Sequence, residues 1–295
     1  MHFFPWVTVI CSCYNHQDYV ITALESVKAQ TYARVELIVV DDFSNDDSRK
    51  IIKTWIANHP EIVYIENPIN LGLNASVNHA LKKAKGTYFM DFAADDVLLP
   101  NCIESLVEKY QTNPNYGFVF GNADIINATG EKLNTYFNSQ RVEKIENAIS
   151  DHFYQHLLKK SDVICSVSAL YNKTIFNQLK GYDEDLYFED LDYWLRVSKK
   201  HPIAFVNKVL VQKRHLENSL ENAFFYNNHH TKQLHITLYL IFKKAYKLNT
   251  KKSEYIALLP RIYKESRWAI KSFNITYLIR YKLLLIQVLY KISVH

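Results

Sequence analysis

Asp41-Asp42 and Asp95-Asp96 each close an apolar run, at residues 35–40 and 86–94. Continuous apolar runs of this kind read as strands of a parallel sheet buried on both faces. Such sheets bind ligands beyond the carboxyl ends of their strands, so two acidic ends point to one crevice. Hard oxygen donors there suit a divalent cation, which needs only one or two carboxylates when substrate phosphates supply the rest. The chemistry expected of these residues is the handling of a nucleotide diphosphate. Acids near helix starts are also ordinary caps. Two adjacent acids followed by Ser44-Asn45-Asp46 exceed what a cap requires, and a carboxylate there can accept the imide N–H of uracil. Asp95-Asp96 precede Pro100, a helix-start residue, yet at the end of a strand they fit metal binding better.

Further along, Glu189-Asp190-Leu191-Asp192 opens a helix that closes near Lys200. Complementing the helix dipole is the plain reading; in an enzyme that activates a hydroxyl, one of these carboxylates would be the general base. Arg214-His215 follows an apolar strand and could supply charge or a metal ligand beside a diphosphate.

The elements that must position these groups alternate. Strands are expected at residues 7–13, 37–40, 62–65 and 87–92, and helices from Asp18 as cap to about Gln30, at 46–58, and from Leu73 with apolar Val77, Ala80, Leu81 and Ala84 at helical spacing. This alternation predicts right-handed crossovers and a mostly parallel α/β sheet flanked by helices. Beyond Tyr110 the pattern loosens: strand at 117–126, turn at 127–130, helix at 151–160, extended chain at 163–171, and strand or hairpin at 203–211. From about Asn222 the chain reads as helical with Lys and Arg on polar faces.

A chain of 295 residues, 48% apolar, allows one large domain with an appendage. From Leu240 on, twelve Lys or Arg stand against Glu254 and Glu265, which is +10; the remainder carries −5 of the net +5. A basic segment of this kind suits an anionic partner, here a membrane surface or a lipid-linked acceptor; no nucleic-acid recognition motif is present. Tyr277, Leu278, Tyr281, Leu284, Leu285 and Val288 fall mainly on one helical side, which could lie in a membrane interface or pack on the protein or in a dimer. The longest apolar stretch, 283–289, is interrupted by Gln287 and is too short to span a bilayer. Cys11, Cys13, Cys102 and Cys165 form no disulfide framework, and no basic region with an apolar signal core opens the chain. The cytosol is the expected compartment.

Several stretches in order carry a resemblance: Val-Thr-Val-Ile-Cys-Ser-Cys-Tyr-Asn at 7–15, Val-Val-Asp-Asp-Phe-Ser-Asn-Asp at 39–46, Asn-Leu-Gly-Leu-Asn at 70–74, Gly-Thr-Tyr-Phe-Met-Asp-Phe-Ala-Ala-Asp-Asp at 86–96, Gly-Tyr-Asp-Glu at 181–184, Glu-Asp-Leu-Asp-Tyr-Trp-Leu-Arg at 189–196, and Arg214-His215. Over roughly residues 5–220 the chain resembles glycosyltransferase family 2, with the GT-A fold. The resemblance implies a catalytic domain at 1–220, with a nucleotide-sugar half to about 125 and an acceptor half after it, and a helical extension at 221–295. It implies that Ser12, Tyr14 and Asn15 line the donor pocket, that Asp42 contacts the base with Asp41 in support, and that Asn70, Gly72 and Asp95 also serve the donor. Asp95, Asp96 and His215 would hold Mn2+ or Mg2+, Asp190 would be the catalytic base, and Glu189 would meet the acceptor. Many relatives have Pro at Ser12, an acid at Ala93 and Arg at Val77, so donor contacts are expected to differ here.

The implied activity is inverting transfer of a hexosyl or N-acetylhexosaminyl group. The donor would be a nucleotide-diphosphate sugar, with uridine as its base. The acceptor would be a hydroxyl of a glycan or lipid-linked glycan in bacterial surface polysaccharide (O-antigen or capsule) synthesis. The enzyme would act at the inner face of the cell membrane; its oligomeric state is left open. The alternative is a non-catalytic nucleotide-sugar or glycan-binding module, favoured by Ala93 alone. A nucleotidyltransferase would carry a Gly-rich phosphate loop after the first strand, and a dinucleotide-dependent oxidoreductase a G-x-G-x-x-G there; Ser-Cys-Tyr-Asn stands in that place, and the first Gly is Gly72.

Overall fold

A computed structural model describes residues 4–151, 153–160, 163–216 and 229–294. β1 (Val7–Cys13), β2 (Val35–Asp41), β3 (Val63–Glu66) and β4 (Tyr88–Ala93) alternate with α1 (Val20–Lys28), α2 (Ser48–Ile56) and α3 (Leu73–Leu81). They form the parallel order β3-β2-β1-β4. The chain runs outward from β1 to β3 and returns on the other side of β1, so the switch point of the sheet lies between β1 and β4. There Ser12 pairs with Val40 on one side and Ala93 on the other. The apolar runs explain the strands: Val9, Ile10, Ile38, Val39, Val40, Phe89 and Phe92 are all fully buried, as a sheet covered on both faces requires.

The second half is mixed. After β5 (Val97–Leu98) and α4 (Cys102–Thr112), β6 (Phe118–Ile126) pairs with β7 (Lys132–Thr135), with β8 (Leu170–Asn172) antiparallel, and with β9 (Ala204–Arg214) in parallel. β8 joins this part to β4, and β5 closes the far edge on β9. The expected strand or hairpin near 203–211 is therefore one long strand. Its register against β6 shifts at Gly121–Asn122 and again at Asn122–Ala123, bulges that a hydrophobic pattern does not announce.

Three local expectations are corrected. Helix α5 (Ser139–Asp151) precedes α6 (Phe153–Lys159), although only the second was legible from the apolar pattern. Residues expected to be extended at 163–171 instead contain a 3-10 turn at Ser166–Ser168 before β8. Ser168 Oγ accepts from Gly121 N there, and its single proton lies within reach of both Gly121 O and Cys165 O. Asp18 does not cap α1: the cap position is Tyr19, without a side-chain bond. The preceding loop is held from across the sheet, His16 N donating to Ser48 Oγ and Gln17 N to Asp46.

α7 (Lys173–Gln178) and α8 (Asp190–Ser198) lead to β9, and α9 (His229–Leu248), α10 (Lys252–Lys271) and α11 (Ile275–Val294) complete the chain. The helical start expected near Asn222 lies outside the described residues. Buried apolar side chains continue from the sheet through Leu238, Phe242, Leu258, Ile262 and Tyr281, so these helices share its core. The tail face picked out by sequence is the inward one: Tyr277, Tyr281, Leu284 and Val288 are buried. No helix among the described residues is long and apolar enough to cross a membrane.

Candidate active site

At the end of β2, Asp41 and Asp42 are both buried and both supplied with donors. Asp41 Oδ1 accepts from Ser44 N and Arg49 Nε, each at 3.0 Å. Asp42 accepts from Asn67 Nδ2, Leu71 N and Gly72 N, each at 2.8 Å. Asp42 thus ties down the 67–72 loop, leaving about one of the four acceptor sites of a carboxylate open. Gly72 has φ +81°, a conformation other residues adopt only with strain, and Asn70 Oδ1 also accepts from its N–H. Asn70 lies exposed at the loop's rim.

α3 begins at this loop and carries the link to the acceptor side. Asn74 Nδ2 donates to the carbonyls of Asp183 and Leu186, and Asn78 Nδ2 to Tyr182 O and Glu184. Asn78 Oδ1 in turn accepts from Tyr182 N at 3.1 Å. A Cβ on Gly181 would stand 2.7 Å from Asn78 Oδ1, so the close approach needs glycine. The 182–186 segment runs directly into Glu189 and α8. α8 is further fastened through buried Asp192, which accepts from Arg196 Nε at 2.8 Å and Lys244 Nζ at 3.0 Å. Lys244 of α9 also pairs with Asp183, so the helical extension clamps α8.

At the other wall, burial alternates along β4 and its exit: Asp91, Ala93 and Asp95 are partly open while Phe92, Ala94 and Asp96 are buried. Asp95 therefore faces the crevice, with His16 Nε2 at 4.0 Å from its carboxylate. Asp96 turns inward and accepts from Arg214 N at 2.7 Å. Arg214 also donates to the carbonyls of Asp95, Asn127 and Ala128; its role is to pin this turn. Burial, then the charge of Asp95, holds the Asp96 carboxyl well above the usual carboxylate range. A crevice-facing carboxylate beside a second acid that its charge disturbs fits a divalent cation completed by phosphate and water. His215 is exposed, and among the described residues no three His, Cys, Asp or Glu side chains form a metal-binding group. His215 is thus not brought into one ligand set with Asp95 and Asp96.

Ser12, at the switch point, has a buried hydroxyl without a protein partner, and so does His16 Nδ1. Buried polar atoms are normally paired, so both point to a missing ligand. Asn15 has φ 60° and is locked to the 44–45 loop, its N donating to Ser44 Oγ and its Oδ1 accepting from Asn45 N. Tyr14 beside it is exposed at the mouth.

Sequence reasoning missed Asp91. Burial pushes its carboxyl up to about 7, against a hydrogen bond from Tyr182 and with the charge of Asp190. Glu189 is held well above the usual range by burial, then by Asp190 and Asp91. Asp91, Glu189 and half-buried Asp190 thus form one electrostatic group joining β4 to the N-terminus of α8. The available signal was an acid inside an apolar strand, two residues from Ala93 and on the same side. His16, Asn67, Asn74 and Asn78 were likewise missed, because short polar residues in loops and helices carry no pattern of their own.

The fold and these groups define a Rossmann-like α/β protein whose crevice, at the switch point of a parallel sheet, is walled by acids on both sides. Residues 8–180 match the family model for glycosyl transferase family 2, more than half of the chain, and the chain belongs to that family. It is 24% identical over 250 residues to chondroitin synthase of Escherichia coli, covering 82% of this chain and 34% of the synthase. Among solved structures, S. aureus TarS 1–349 in complex with UDP-GlcNAc superposes with a TM-score of 0.64 at 17% identity, covering 86% of this chain and 70% of that one. The mannosyltransferase PcManGT of Pyrobaculum calidifontis, in complex with GDP-Man and Mn2+, gives 0.62 at 16% identity, covering 98% and 85%. These likenesses show the GT-A fold.

Proposed function

We propose that the protein transfers a sugar from a nucleotide-diphosphate donor, with uridine as the favoured base, to a hydroxyl of a glycan or lipid-linked glycan, with inversion. The observation that carries this reading is the electrostatic group of Asp91, Glu189 and Asp190. It sets acceptor-side acids over the strand whose end presents Asp95. Three carboxyls this close do not all ionise, and the N-terminus of α8 favours negative charge at Asp190. Asp190 then takes the acceptor proton as that oxygen attacks the anomeric carbon and the bond to the diphosphate breaks. Glu189, protonated, donates a hydrogen bond toward the acceptor.

On the donor side, Asp42 orders the 67–72 loop and spends its remaining acceptor capacity on the base. Ser12 and His16 supply their unpaired atoms, and Tyr14 and Asn15 border the pocket. Asp95, with Asp96 behind it, would hold Mn2+ or Mg2+, which when bound offsets charge on the departing diphosphate. The GT-A neighbours in complex with UDP-GlcNAc and with GDP-Man and Mn2+ support a nucleotide-sugar donor. The chondroitin synthase relative supports a role in polysaccharide synthesis. The chain spans 34% of that relative's length, so the product of any larger assembly is a separate matter.

The test is calorimetric binding of UDP, GDP, UDP-GlcNAc and GDP-mannose with Mn2+ and with chelator, followed by transfer to oligosaccharide acceptors. Metal-assisted binding of one nucleotide and turnover lost in Asp190→Asn are expected. Binding without hydrolysis or transfer to any acceptor would favour a glycan-binding module instead.

A further inference from the structure

We propose that the outward side of α11 is a docking surface for an anionic lipid bilayer, with the helix lying along the interface. The proposal stands independently of the transfer reaction. α11 has two apolar sides. One packs inward through Tyr277, Tyr281, Leu284 and Val288. The other consists of Ile275, Ile279, Leu283, Ile286, Tyr290 and Val294, each between 53% and 70% exposed. At about 100° per residue these six fall within an arc of about 100°, centred about 160° from the inward set. Scattered exposed apolar residues are ordinary, but a continuous stripe marks an interaction surface. Phe273, in the turn before α11, is 88% exposed and extends the stripe at its N-terminal end.

Charge selects the occupant. On the same helical wheel, exposed Lys282 stands about 20° from one edge of the stripe and exposed Arg280, which also stacks on Tyr239 and Tyr277, about 40° from the other. After Glu265 the chain has no acidic residue at all, while Arg267 and Lys271 add two further cations. An apolar stripe edged by cations on both sides is the pattern of helices that sit at the headgroup boundary of anionic membranes. A second copy fits poorly. A two-fold contact places the same patch on both sides, so cations would face cations with no acid on either helix to offset them. Polar positions lie elsewhere on the helix, and no helix among the described residues is long and apolar enough to span, which leaves it parallel to the surface.

The test is co-sedimentation of the full chain with vesicles of phosphatidylcholine alone and of phosphatidylcholine mixed with phosphatidylglycerol, at low and high salt. Binding to the mixed vesicles, weakened by salt, is expected. Ile279→Glu with Ile286→Glu should abolish it, and Lys271→Gln with Lys282→Gln should weaken it roughly thirtyfold. All four positions are exposed, so melting temperatures should match the parent's, and circular dichroism checks this. Three outcomes would overturn the proposal: no binding to either vesicle, equal binding to both, or sedimentation-velocity dimers that the Glu variants dissociate.

Discussion

The carboxyl groups on the two sides of the crevice are held in opposite ways. Asp41 and Asp42 are buried but surrounded by donors: three backbone N–H groups, one amide and one guanidinium. Hydrogen bonding of that kind turns each side chain into a structural clasp. Glu189 is buried and Asp91 half-buried, each beside another acid, so desolvation dominates and holds both carboxyls above the usual range. The same side-chain chemistry therefore yields hydrogen-bonded clasps at the end of β2 and carboxyls that hold their protons where β4 meets α8. An enzyme of the proposed kind has use for both: the clasp orders the loop beside the donor, and neighbours that keep their protons leave Asp190 to take one.

The largest expected effect tests the acceptor wall. Asp190→Asn should reduce transfer by roughly 10³-fold while donor binding and the melting temperature stay near those of the parent; unchanged turnover in folded protein would remove the base assignment. Next comes the clasp. Asp42→Ala strands the N–H of Leu71 and leaves Gly72 N only Asn70 Oδ1 and the Asn67 amide only Ser76 Oγ, so it should cost about 2 kcal/mol in urea denaturation. It should weaken donor binding together with stability; a loss of affinity alone would instead mark Asp42 as a pure base contact.

The contrast also has a pH signature. Folded Asp91 keeps its proton to about pH 7, whereas an unfolded chain releases it near about 4. Between these values the folded state binds more protons, so this group's stabilising contribution, complete at low pH, is lost as pH rises through about 7. Asp91→Asn should match the parent near pH 4 and exceed it at pH 8 in chemical denaturation. A parallel pH dependence in both proteins would place the retained proton on Glu189 alone. The smallest effect is that of Ser12→Ala: because its hydroxyl has no protein partner, stability should be unaffected and donor affinity should fall about fivefold, read by calorimetry.

How far the sequence reached can be judged residue by residue. The strands β1 to β4 were legible because a parallel strand buried on both faces must be apolar throughout, and Asp41, Asp42, Asp95 and Asp96 were legible because they end those runs. That Asp95 faces the crevice and Asp96 faces Arg214 was not legible, since adjacent identical residues differ only in which way the chain turns. Asp18 looked like a cap and is not one, because donors of its loop are met by Ser48 and Asp46 from a neighbouring strand exit. In α11 the periodicity identified the inward face correctly as apolar but could not say that it was inward; a helix apolar on two sides has no preferred orientation until α9 and α10 are placed.

The linear order of residues by itself determined the parallel half of the sheet, the positions of the acid pairs and the basic character of the tail, because burial demands and turn chemistry act locally along the chain. Only the tertiary structure decided that Asp42 clasps Gly72, that Asn74 and Asn78 of the same helix then carry the segment leading to Asp190, and that Asp91 shares its electrostatic environment with Glu189. Each of these depends on which groups meet across 30 to 112 positions of sequence separation, and on the hydrogen-bond donors present where they meet. Those donors set whether a buried carboxyl is a clasp or a proton store, and no property of an isolated residue encodes them.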